Sequence, residues 1–124
     1  MSNKSNYINP TLNYENDQQF YEWGLNTLNF IKDNADVRKA LLLIKKAYPN
    51  CKIFADRMLP EDNNLFVMVY CGDTYNELEL KKTIQPIFPE ILEDDEDNPR
   101  LPLTVLPALS PTLGQNIEIT EEDL

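Results

Sequence analysis

The sequence of 124 residues contains no histidine. That absence removes Ser-His-Asp and Cys-His nucleophile systems, histidine metal ligands, and the one side chain that changes charge near neutral pH. Glycine is scarce: Gly24, Gly72 and Gly114 each stand alone, so no glycine-rich loop is available to cradle a phosphate. The two cysteines, Cys51 and Cys71, lie too far apart for a CxxC redox pair and are too few for a four-ligand zinc site. Long apolar runs are missing too. The longest uninterrupted ones, residues 40–44 and 65–71, fall far below the ~20 residues a membrane-spanning helix needs. Residues 1–10 are polar and rich in asparagine, with no basic start leading into an apolar stretch. We therefore expect no signal peptide and a cytoplasmic location.

Positive charge is also in short supply. Eleven Lys and Arg face 21 Asp and Glu, a net charge of −10, which argues against direct binding of nucleic-acid phosphates or of anionic membrane. The imbalance is local. Residues 1–90 hold 12 acids and 10 bases, whereas residues 91–124 hold nine acids and a single base, Arg100. Prolines divide in the same place, six of the nine falling between Pro86 and Pro111, where they cannot occupy helix interiors. A nearly neutral body therefore carries an acidic, proline-spaced C-terminal region, with a boundary near Glu93. With 42% hydrophobic residues the chain is too apolar for wholesale disorder. Its length suits one domain that buries roughly two-thirds of its unfolded surface.

Along the body, residues 1–16 read as a loose polar arm and residues 17–92 as the folded unit. Phe20, Trp23, Thr27, Phe30 and Ile31 mark one face of a first helix, widened by Tyr21, Leu25 and Leu28. Gly24 within it costs about 1 kcal/mol relative to Ala, which close helix packing would offset. Asn34 is a suitable N-cap for a second helix, whose stripe is Val37, Ala40, Leu41, Ile44 and Tyr48. Pro49 and Asn50 end it. Residues 51–55 and 65–71 read as two strands joined by a long polar loop. The second is apolar on both faces and so needs cover on both sides. Thr74 and Glu77 fit a capping box for a third helix carrying Leu80, Ile84, Ile87 and Phe88. Pro89 would start a short last turn ending at Leu92.

The expected fold is α+β, a small single domain of order α-α-β-β-α with a β-hairpin packed on helices. A two-stranded ribbon is marginal alone in water. A third strand must come from the C-terminal region, the N-terminal arm or another chain.

Residues 93–124 form the expected extended arm. Glu93, Asp94, Asp95, Glu96 and Asp97 place five carboxylates in a row. At a helix C-terminus they would face its negative end, so a solvated loop is expected. Leu101, Leu103, Val105, Leu106, Leu109 and Leu113 then project from a stretch punctuated by Pro102, Pro107 and Pro111. Aliphatic teeth on an extended, proline-ordered segment suit either packing on the chain's own sheet or insertion into a partner.

Three functions follow as expectations. The first is a non-enzymatic protein-binding module of accessory, inhibitor or antitoxin-like kind. Its interface would comprise Asp94, Asp95, Glu96, Asp97, Leu101, Leu103, Val105, Leu106, Leu109 and Leu113, and its partner would be a protein, in particular a basic nucleic-acid-binding one. No cofactor or metal is expected. The second is a structural homodimer formed by exchange of the arm or a strand. The third is a metal-dependent hydrolase using the loop carboxylates Asp56, Glu61, Asp62 and Asp73. Arg38, Lys39, Lys45, Lys46 and Lys52 form a basic patch on or near the second helix, a solvated face or a dock for the chain's own acidic run. Paired antiparallel, the two strands bring Cys51 near Cys71 across the ladder, either as two reduced buried thiols or as a cross-link under oxidation.

Overall fold

The computed structural model describes residues 14–71, 76–108 and 117–124. Among these residues are three α-helices, α1 (Tyr14–Asp33), α2 (Ala35–Ala47) and α3 (Glu77–Ile84), and four strands, β1 (Lys52–Ala55), β2 (Leu65–Tyr70), β3 (Leu103–Pro107) and β4 (Ile117–Ile119). The mixed α+β class read from the sequence holds. The helix α1 starts inside the expected N-terminal arm, and the rest of that arm, residues 1–13, lies outside the described residues.

Local chemistry accounts for most helix boundaries. On α1, Phe20, Trp23, Thr27 and Ile31 recur at helical spacing and are all buried, while Leu25 is exposed rather than part of the buried face. Asn34 occupies the N-cap position of α2 but makes no cap hydrogen bond. Its amide instead donates to the Phe30 carbonyl at 2.8 Å, closing the end of α1. Arg38 reinforces that closure by donating to the Ile31 and Lys32 carbonyls, a cation placed at a helix C-terminus. The N-cap of α3 is Asn76, whose side-chain oxygen accepts from the Glu79 N–H at 3.1 Å. The cap expected at Thr74 lies outside the described residues and two positions too early. An asparagine immediately before the first helical turn satisfies the same orphan donor.

The four strands form one mixed sheet in the order β3-β2-β1-β4. β1 pairs antiparallel with β2 and with β4, whereas β2 pairs parallel with β3. A parallel pair cannot be joined by a tight turn, and here α3 lies on the connection from β2 to β3. The C-terminal region therefore supplies both of the strands the hairpin lacked. For residues 103–107 and 117–119 the expected separation of arm from body does not exist. They are edge strands of the body's own sheet.

Strand alternation sorts the side chains into two faces. Ile53, Ala55, Leu65, Val67, Val69, Leu103, Val105 and Ile119 point to one side and are almost wholly inaccessible. There they meet Ile31, Val37, Ala40, Leu41, Ile44, Leu80, Ile84, Phe88 and Ile91 in a single core. Ile117 closes a smaller cluster with Phe20 and Trp23 of α1, and the Arg57 guanidinium lies 5.4 Å from the centroid of the Trp23 ring. On the outer face Phe54 and Thr104 are buried, and Phe66, Met68, Tyr70 and Leu106 are half-buried. β2 thus has full cover on its helix side and partial cover on the other. Among the described residues no helix is long and apolar enough to cross a membrane.

Candidate functional site

The acidic run is built outward from the core. Ile91, buried beneath α3 and β3, begins a 3-10 turn, Ile91–Glu93, that leads straight into the carboxylates. Asp94 turns inward. Its side chain is only 8% exposed, and its two oxygens accept from the backbone N–H groups of Arg100 at 2.9 Å and Leu101 at 3.2 Å. The Asp95 carboxylate accepts from the Asp97 N–H, and the Asn98 N–H donates to the Asp95 carbonyl. One acid is therefore a staple inside the loop, while Glu93, Asp95, Glu96 and Asp97 remain exposed.

The chain leaving this loop is fixed as firmly as the chain entering it. The Asn64 amide donates to the Leu101 carbonyl at 2.9 Å and to the Thr104 hydroxyl at 3.0 Å. The Leu65 N–H donates to the Pro102 carbonyl at 2.8 Å. Five carboxylates in sequence are accordingly held as a shaped turn between a core isoleucine and a sheet strand.

Few cations answer this charge. The Lys81 ammonium sits 2.8 Å from Glu77, one helical turn before it, and 3.9 Å from Glu96. The hydrogen bond from Lys81 lowers the Glu77 carboxyl below its ordinary range, whereas hydrogen bonding to the Glu77 carboxylate raises Glu96. The Arg100 guanidinium reaches Asp94 only at 4.0 Å and is otherwise in solvent. The basic patch does not dock on the acidic run among the described residues. Arg38 caps α1, and the Lys45 ammonium donates to the Cys51 carbonyl at 3.1 Å.

The aliphatic residues expected to form an interface divide three ways. Leu103 and Val105 have no exposed surface, because β3 turns both toward the helices. They are core residues, and a partner cannot touch them in the folded chain. Leu101 and Leu106 are half-buried, Leu106 on the outer face opposite Met68. Leu109 and Leu113 lie outside the described residues. Sequence reasoning overlooked the outer-face row of Phe54, Phe66, Met68 and Tyr70. Its signal was present in the two-sided apolarity of β2, but which side faced the helices depended on a strand from a distant part of the chain.

The space between the acidic turn and β3 amounts to about 10 Å³, bounded by Lys81, Asp94, Asp95 and Thr104, enough for no ligand larger than water. A shallow pocket of about 220 Å³ lies between α1 and the β1–β2 loop. Of the loop carboxylates considered for catalysis, Asp56 and Asp62 are engaged locally and Glu61 is exposed. Asp56 accepts from the Arg57 N–H and Asp62 from the Leu59 N–H, while Asp73 lies outside the described residues. Among the described residues no three His, Cys, Asp or Glu side chains come together as a metal-binding group. Comparison with known protein families, with curated proteins and with solved structures returns no match.

Proposed function

We propose that this chain is a non-enzymatic protein-binding module, accessory or inhibitory in kind, which engages a basic protein partner through the exposed carboxylates of Glu93, Asp95, Glu96 and Asp97 and the flanking apolar surface at Leu101 and Leu106. The observation that carries the reading is the internal staple. Asp94 spends its charge on two backbone donors and thereby holds its four neighbours outward in a fixed arrangement. A preordered row of like charges that has few balancing cations among the described residues attracts a cationic surface at long range and loses little entropy when it docks. A nucleic-acid-binding protein presents such a surface, and spaced carboxylates imitate the phosphates it normally meets.

The test replaces charge without touching the core. A variant carrying Asp95→Asn, Glu96→Gln and Asp97→Asn keeps Asp94 and should fold normally by circular dichroism. Affinity capture with the parent chain should retrieve a basic protein that the variant loses, with binding that weakens as salt rises. Capture that is equal for both chains, or insensitive to salt, overturns the proposal. A second copy of the chain is the alternative occupant, because β3 and β4 are the strands an exchange would donate. Sedimentation at micromolar concentration separates the two. A stable dimer that survives in the neutralised variant supports strand exchange, whereas a monomer opposes it.

A further inference from the structure

The two cysteines lie outside the surface discussed so far. β1 and β2 pair in register from Ala55↔Val67 to Lys52↔Tyr70, and the same register carried one residue further faces Cys51 with Cys71. The kind of rung follows from one bond. The Asp56 N–H donates to the Phe66 carbonyl at 3.0 Å, so that pair is hydrogen-bonded. Rungs alternate along an antiparallel ladder. The Phe54 and Lys52 rungs are then hydrogen-bonded, and the Ala55, Ile53 and Cys51 rungs are not. Non-hydrogen-bonded partners have Cα atoms about 4.5 Å apart with side chains converging, within the span of about 4.4–6.8 Å that a disulfide bridges.

Both thiols point to the helix side. Cys51 is buried in the core, and Cys71 is half-buried against it. A surface pocket of about 270 Å³ between Tyr48, Pro49 and Asn50 is lined by both cysteines.

We infer that Cys51 and Cys71 form a redox-modification site, which a peroxide-class oxidant converts to a cross-strand disulfide and a thiol reductant restores. Cys71, the more accessible sulfur, reacts first. Its thiolate attacks one peroxide oxygen, the O–O bond breaks, hydroxide leaves, and a sulfenic acid forms. The Cys51 sulfur then attacks the Cys71 sulfur and the S–O bond breaks. The sulfenic oxygen departs as water, taking the Cys51 proton. Two thiols have lost two electrons and one peroxide has gained them. Burial pushes the Cys51 thiol up to about 11, against the pull of the Lys45 ammonium, and Cys71 is also raised by burial. Both shifts lower the thiolate fraction, so the closeness of the two sulfurs, not thiolate reactivity, is what favours their pairing.

The test uses the full chain under native conditions with hydrogen peroxide. Intact mass should fall by two hydrogens, a peptide map without reductant should join the Cys51 and Cys71 peptides, and dithiothreitol should reverse both. Pairing should be about tenfold or more faster than in the same chain dissolved in concentrated urea, because the fold holds the sulfurs together. Cys71→Ser should abolish the mass loss. Should that variant fail to fold, the native-against-urea rate comparison on the parent chain decides alone. Independent oxygen additions at each sulfur, chain-to-chain dimers without the internal link, or equal rates with and without urea would each overturn the inference.

Discussion

Replacing Leu103 with Ala removes a side chain that has no exposed surface and sits opposite Leu65 in the parallel β2–β3 pairing. Truncating a fully buried leucine costs about 2–5 kcal/mol, the transfer term plus the cavity left behind. For this chain the entropy of unfolding is roughly 0.26 kcal/mol/K, from about 2.1 cal/mol/K per residue. A loss near 3 kcal/mol therefore lowers Tm by about 12 °C. The same substitution at Leu106, three residues further along and half-buried on the outer face, should cost about 1 kcal/mol and about 4 °C. Thermal and urea unfolding followed by circular dichroism read both. An appended arm would make the two substitutions equally silent, so shifts that match, or a Leu103→Ala shift under about 2 °C, refute the placement of β3 in the core.

Deleting everything after Leu92 removes Leu103, Val105, Ile117 and Ile119, all fully buried. At about 1.5–3 kcal/mol each, their burial contributes roughly 6–12 kcal/mol, comparable with the whole stability of a domain, about 5–15 kcal/mol. The shortened chain should be unfolded. Loss of partner binding on truncation would then report unfolding and say nothing about the interface, which is why charge replacement on the exposed turn is the cleaner probe.

Three further outcomes are expected. Thr27 is wholly buried on α1 and its hydroxyl has no hydrogen-bond partner among the described residues, so Thr27→Val, which keeps the shape and removes the orphan, should raise stability by about 1 kcal/mol in urea unfolding. Asp94→Ala frees two backbone donors and should cost about 1–2 kcal/mol, whereas the exposed Asp95→Ala should cost a few tenths at most, a contrast measured in the same assay. The Glu77 carboxyl is lowered by Lys81, so its contribution is present at neutral pH and lost as pH falls through the carboxylate range. Glu77→Gln should cost roughly 0.3–0.5 kcal/mol at neutral pH and nothing in acid, while Glu96→Gln, at a carboxyl raised beside Glu77, should change stability in the opposite sense, as pH-dependent unfolding will show.

What could be read in advance was local. The α2 stripe of Val37, Ala40, Leu41 and Ile44 repeats within its own 13 residues, and the hairpin follows from two apolar runs flanking a polar loop. The pairing of β2 with β3 joins residues far apart in sequence, and no periodicity within either segment records it. Proline added a misleading local signal. Pro102 and Pro107 suggest an extended arm, yet each sits where a missing N–H does no harm. Pro102 precedes β3 and offers its carbonyl to Leu65, and Pro107 is the last residue of an edge strand. Ile117, Glu118 and Ile119 do alternate, but three residues are too few to distinguish a strand from chance. The inward turn of Asp94 was equally hidden. Five adjacent acids are equivalent in sequence, and only the fixed positions of Ile91 and Leu101 determine which of them finds two backbone donors.

That dependence has a consequence for the site. A solvated acidic tail spreads its charge over many conformations and must order each carboxylate when it docks, at a cost in side-chain and backbone entropy. Here the ordering is supplied by folding. Ile91 anchors one end in the core, the Asn64 amide and the Leu65 N–H anchor the other, and Asp94 closes the loop between them. The folding free energy that secures β3 therefore also sets the spacing of Asp95, Glu96 and Asp97. A substitution that loosens β3 without touching an acid, such as Val105→Ala, should then weaken partner binding along with stability. Removing a single exposed carboxylate should weaken binding alone. The two kinds of variant separate when binding is plotted against stability. If Val105→Ala lowered stability while the folded fraction bound as tightly as the parent chain, the turn's shape would be irrelevant to recognition and only its charge would matter.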